Sequence, residues 1–169
     1  MKQYVNLRLF RDYRKVRYYT FQIEDHEESE TLKFFSKIKA LSEYTDELNE
    51  LADWLFKIGN NYGALPFLFR FEDEAGALPP NFRSQRRIKI EKIEQNDLRL
   101  YCIWISEEIV ILANGGIKLS VVAQDSAELM PHLRFVKTMG KQINRLIADG
   151  DFRFMGKEIF NIENIDLTI

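Results

Sequence analysis

Arg99 and Tyr101 stand two residues apart in an aromatic, β-branched run, LRLYCIWIS (98–106), and Lys118 lies in the apolar run that follows, EIVILANGGIKLSVV (108–122). Side chains alternate faces along a strand. Arg99, Tyr101, Ile103 and Ile105 therefore share one face of the first run, and Leu98, Leu100, Cys102 and Trp104 share the other. The chemistry open to such a set is recognition of anions. A guanidinium is always charged and its planar fork binds two phosphate oxygens. Arg83, Arg86, Arg87 and Lys89 precede the pair of runs and extend the basic face.

Other chemistries lack their residues. One cysteine and two histidines exclude an internal disulfide and a zinc cluster, so no metal is expected. No Walker loop, strand-linked GxGxxG, HExxH or GxSxG occurs, and no cofactor is implied. Cys102, inside an apolar strand, reads as an inert core thiol. His26 and His132 each lie beside a helix start and read as surface histidines. Asn114-Gly115-Gly116 reads as a tight turn at a strand end, where glycine tolerates positive φ.

The composition sets the frame for these residues. The chain has 169 residues, 46% of them hydrophobic and 30% charged, enough for one domain with a sizeable core. Its net charge of -2 hides three blocks. Residues 1–23 carry +5, residues 24–75 carry -8 and residues 83–99 carry +3. A polyanion site is thus a local matter, on the sheet. No signal-peptide core and no apolar run of spanning length is present, so a cytoplasmic protein without membrane association is expected.

The elements that must position the residues follow from periodicity. VRYYTFQI (16–23) alternates Tyr19, Phe21 and Ile23 against Tyr18, Thr20 and Gln22, a half-buried strand, and 4–10 has a weaker strand pattern. Asp25 and Glu28 have capping-box spacing before Leu32, Phe35, Ile38 and Leu41, which predicts a helix near 27–40. Ser42 or Thr45 can cap a second helix bearing Leu48, Leu51, Ala52, Leu55 and Ile58 and ending at Gly59. A connecting region rich in Gly and Pro follows, with a possible strand at 67–71, then a strand at 87–93, then the hairpin of 98–122. Leu129 to Leu146 trace a last helix with Pro131 in its first turn and Gly150 after its end. The expected fold is α+β: a small antiparallel sheet packed against an N-terminal helical hairpin and a C-terminal helix. The reading is a single domain over 1–169, with an extension at 1–16, a core at 16–150, and a tail or edge strand at 151–169.

The stretch 97–118, DLRLYCIWISEEIVILANGGIK, resembles the central hairpin of the RelE/HigB-type toxin superfamily, including phage Gp49-like proteins. The shared pattern is an arginine in an aromatic strand, a short turn, an apolar strand and a basic residue after a glycine. These are Arg99, Tyr101, 106–108, 109–113 and Lys118 here. The predicted β-α-α-β-β-β-α order over 16–150 is similar to that superfamily's as well. The resemblance implies a metal-independent, ribosome-dependent mRNA endoribonuclease, with an antitoxin protein and the ribosome-bound mRNA as partners. It implies catalytic roles for Arg99, for Lys118 as a nearby point charge and for Tyr101 stacking on a base or hydrogen-bonding the backbone, and RNA contacts for Arg83, Arg86, Arg87 and Lys89. Two other readings stay open. One is a non-catalytic relative acting as a protein-interaction module or mobile-element accessory protein. The other is direct nucleic-acid binding through 1–17 and 83–99.

Overall fold

The computed structural model describes residues 2–81, 95–119 and 126–169. The strand expected at 87–93, and with it Arg83, Arg86, Arg87 and Lys89, lies outside the described residues. Two strands open the chain, β1 (Tyr4–Asp12) and β2 (Arg17–Ile23), followed by α1 (Glu30–Lys39) and α2 (Thr45–Lys57). Then come β3 (Arg70–Glu72), β4 (Ala75–Leu78), β5 (Leu98–Ser106) and β6 (Ile109–Ile117). The chain ends with α3 (Met130–Asp149), a small hairpin of β7 (Phe154–Met155) and β8 (Glu158–Ile159), and β9 (Leu167–Thr168).

The α+β class stands, and its finer terms need correction. The sheet is neither small nor purely antiparallel: it has seven strands in the order β3-β4-β5-β6-β2-β1-β9, and β2 runs parallel to β6. Hydrophobic alternation marks a strand and its faces but carries no information about direction, so the parallel pairing left no trace in the pattern. A strand pair, not a helical hairpin, comes first. The stretch set apart as an extension is paired along its length, Val5 with Ile23 through Asp12 with Arg17.

Both faces of the sheet are covered, which is why β2 is buried on both sides instead of one. Tyr18, Leu98, Leu100, Cys102, Val110 and Leu112 pack on one face against Phe34 and Ile38 of α1 and Leu51, Trp54 and Leu55 of α2. Tyr19, Phe21, Tyr101, Ile103 and Ile111 pack on the other against Leu133, Val136, Met139 and Ile143 of α3. The alternation read for β5 is thus the observed one. At ~25 cal/mol per Å² of apolar surface removed from water, these two layers are the main stabilising term.

The helix ends differ from expectation in instructive ways. Ser29, not Asp25, caps α1: its side chain accepts from the Leu32 amide at 3.3 Å. Asp25 sits in the turn after β2 at φ 67°, a left-handed conformation that short polar residues tolerate. Neither Ser42 nor Thr45 caps α2; the Thr45 hydroxyl donates backward to the Ser42 carbonyl at 2.8 Å. Nor does α2 stop at Gly59, since a wider turn over Ile58–Tyr62 carries it to Gly63, at φ 80°. Gly59 serves a contact instead: a Cβ there would lie 2.7 Å from Tyr13 Cγ, and its carbonyl accepts from the amides of Lys15 and Val16. By contrast α3 begins and ends as read, with Pro131 in its first turn and left-handed Gly150 after its last. Among the described residues no helix is long and apolar enough to cross a membrane.

Candidate anion-binding site

Asn114-Gly115-Gly116 is not a turn; it lies inside β6. Opposite it, the β5 register steps from Leu100↔Gly115 to Cys102↔Leu112, so β6 carries one extra residue across from Tyr101. Such a bulge bends a strand and re-aims its side chains. A Cβ on Gly115 would collide with the Arg99 carbonyl, and the glycine is there because the two backbones come that close.

Arg99 pairs with Gly116 across this bent hairpin and is buried, at 9% exposure. It is neither an open phosphate ligand nor a surface arginine paired with an acid. Its Nη1 donates to the carbonyls of Asn96 at 2.8 Å and Leu98 at 2.7 Å. Burial, reinforced by the positive charge of Arg70, pushes its pKa down to about 10, so it stays charged at neutral pH. Tyr101 is more deeply buried still, at 3% exposure among the residues under α3, which overturns the expectation that it stacks on a base. Its hydroxyl has no hydrogen-bond partner among the described residues. Burial, then the nearby Glu72 carboxylate, push the phenol up to about 12, so it is a neutral donor at physiological pH. Lys118 is half-buried and its amide donates to the Asp97 carbonyl at 2.7 Å. Its pKa is lowered by burial and then by the charges of Arg99 and Arg70.

An unpartnered buried hydroxyl costs about 1–3 kcal/mol, and removing it with its shape kept recovers part of that. Tyr101→Phe is therefore expected to leave the melting temperature unchanged or raise it, by about 1 kcal/mol of stability. A calorimetric scan showing a clear drop would mean that the hydroxyl has a partner after all.

The hairpin thus brings Arg99, Tyr101 and Lys118 together, and it adds Arg70, which the sequence reading missed. Arg70 faces Ala77 on β4, and Ala77 faces Tyr101 on β5. Because Ala77 offers only a methyl group, the long arginine side chain lies across β4, and its Nε donates to the Pro79 carbonyl at 2.8 Å. Three-residue β3 is too short to show alternation; only the pairing with β4 reveals the face Arg70 takes. Three acids lie close by: Glu72 and Asp97 act electrostatically on Lys118, and the Glu128 carboxylate lies over Gly116, the cross-strand partner of Arg99, and accepts from the Ile117 amide at 3.4 Å. Glu72 lies 3.6 Å from Lys137 of α3, and Asp97 accepts from Gln95 at 3.0 Å. Among the described residues no carboxylate comes within ion-pair distance of Arg70, Arg99 or Lys118.

The remaining candidates are structural. Burial pushes the Cys102 thiol far up, so it is inert. Trp104 Nε1 donates to the Ala64 carbonyl at 2.7 Å. His132 is half-buried near Lys37, Glu30 and Lys33, and burial followed by the Lys37 charge lowers it to about 4. No group of metal-ligating side chains occurs among the described residues. Fold and site together define an α+β protein with helices on both faces of a mixed sheet and three cations at one end of its central hairpin, with no carboxylate in ion-pair range of them among the described residues. No family model, curated protein or solved structure matches the chain.

Proposed function

We propose that the protein is a RelE/HigB-like toxin, a metal-independent endoribonuclease that acts on ribosome-bound mRNA and is held in check by a protein antitoxin. The observation that carries this reading is the convergence of Arg70, Arg99 and Lys118, with no carboxylate in ion-pair range among the described residues, beside a neutral phenol. The order β2-α1-α2-β5-β6-α3 is consistent with it, with the expected strand at 87–93 outside the described residues and β1, β3, β4, β7, β8 and β9 as further strands. Cleavage by a ribose 2′-hydroxyl needs cations that hold the scissile phosphate and stabilise its extra charge. Induced expression is expected to arrest growth, and a translation extract given the protein is expected to show mRNA cuts that require ribosomes. An extract with intact mRNA, together with unimpaired growth, would reject the reading.

One observation favours a second reading, the protein-interaction module. A groove of about 250 Å³ opens between β1, α1 and α2, lined by Phe10, Tyr13, Leu32, Phe35 and Leu55, with Arg11 lying 4.9 Å over the Phe10 ring. Harmless expression with no cleavage is the outcome that this reading expects.

A further inference from the structure

We infer that Arg70 is an RNA-contacting cation of this site, and that it and Lys118 meet successive phosphates of a single-stranded chain from either side of the buried Arg99. The inference rests on the RNA-cleaving reading above and assigns the contacts within it. Arg99 is the most buried of the three cations and spends Nη1 on its own strand's carbonyls, so it contributes charge from below. Arg70 and Lys118 are only half-buried. They stand on opposite sides of β5. Lys118 follows β6, whereas Arg70 reaches over β4 from β3, the edge strand of the sheet.

The hydrogen bond to Pro79 fixes where the Arg70 guanidinium lies. Leu78 pairs with Leu100, so Pro79, the next residue, falls beside the row of Arg99. The bond to its carbonyl therefore carries the side chain from the Tyr101 row to the Arg99 row. Nε makes that bond, which leaves the terminal nitrogens as the fork for a phosphate. Holding like charges together in a partly buried setting is unfavourable, and because Glu72 and Asp97 act on Lys118 only from beyond ion-pair distance, an anion in direct contact adds stabilisation. Because two cations flank a third across the hairpin, the ligand that satisfies all of them is a chain with successive phosphates, not a single phosphate group.

The test is binding of a labelled oligouridylate of about 12 nucleotides by fluorescence anisotropy, from about 50 to about 200 mM KCl. Arg70→Gln keeps a donor for the Pro79 carbonyl but removes the charge, and circular dichroism verifies that the variant folds. Loss of one phosphate contact lowers the magnitude of the slope of log affinity against log salt by about 0.7 for a single strand. Arg70→Gln is expected to show that drop together with weaker binding, and Arg70→Lys to restore the slope. If Lys118→Ala weakens binding while Arg70→Gln leaves both slope and affinity at the wild-type values, the Arg70 assignment is overturned and the RNA reading stands. If the wild-type protein does not bind the oligonucleotide even at the lowest salt, the Arg70 assignment falls, and the ribosome-dependent reading is decided by the translation extract.

Discussion

Gly115→Ala is expected to cost at least about 3 kcal/mol, the upper range for overpacking a close-packed interior. The reason is a collision with backbone. A Cβ at this position meets the carbonyl of Arg99, and the next atom in line is Leu100 Cα at 3.1 Å. Neither can move as a side chain would; relief requires β5 and β6 to part where both are buried between two helical layers. Gly150 provides the contrast. It holds φ 81° at the end of α3, and a Cβ there would meet nothing within 4 Å. Gly150→Ala thus carries only the left-handed penalty of about 1 kcal/mol. Urea unfolding of the two variants side by side measures the difference. Equal midpoints would show that the hairpin does not close on Gly115.

The same glycine shows why some of the architecture was legible in the sequence and some was not. Local signals carried the β5 alternation, the α3 stripe with its Pro131 start and Gly150 stop, and the existence of α1 and α2, because burial against one neighbour leaves a period in the residues themselves; the stripes of α1 and α2 are shifted from the reading, with Leu32 exposed and Phe34 and Trp54 buried. The role of Gly115 depends instead on a bulge opposite Tyr101, a property of two strands taken together. Read alone, Asn-Gly-Gly has the composition of a turn. Arg70 is hidden for a similar reason: its face is set by pairing with Ala77, and its reach by a bond to Pro79. The parallel contact of β2 with β6 joins residues such as Tyr18 and Val110, far apart in the chain, and alternation within either strand is silent about it. For Arg99 and Tyr101, spacing correctly put both on one face. The packing of α3 on Tyr101 and the burial of Arg99 came only from three dimensions.

That burial separates two residues that the hairpin pattern treats alike. Lys118→Ala is expected to abolish growth arrest and slow mRNA cleavage by about 10²-fold or more, the scale for removing one preorganised charge from a transition state. Its melting temperature should stay near wild type, because the side chain makes no ion pair among the described residues and only the backbone amide donates to Asp97. Arg99→Ala acts differently. It leaves the Asn96 and Leu98 carbonyls without that donor, at a cost of about 2 kcal/mol, and it empties the buried space the side chain fills. Arg99→Ala should therefore lose activity and stability together, and Arg99→Lys, which keeps the charge but only one compact donor group, should recover stability in part. Activity assays paired with melting curves on the same preparations decide the matter. Full arrest by a folded Lys118→Ala protein would remove Lys118 from the site and leave the cation cluster as packing.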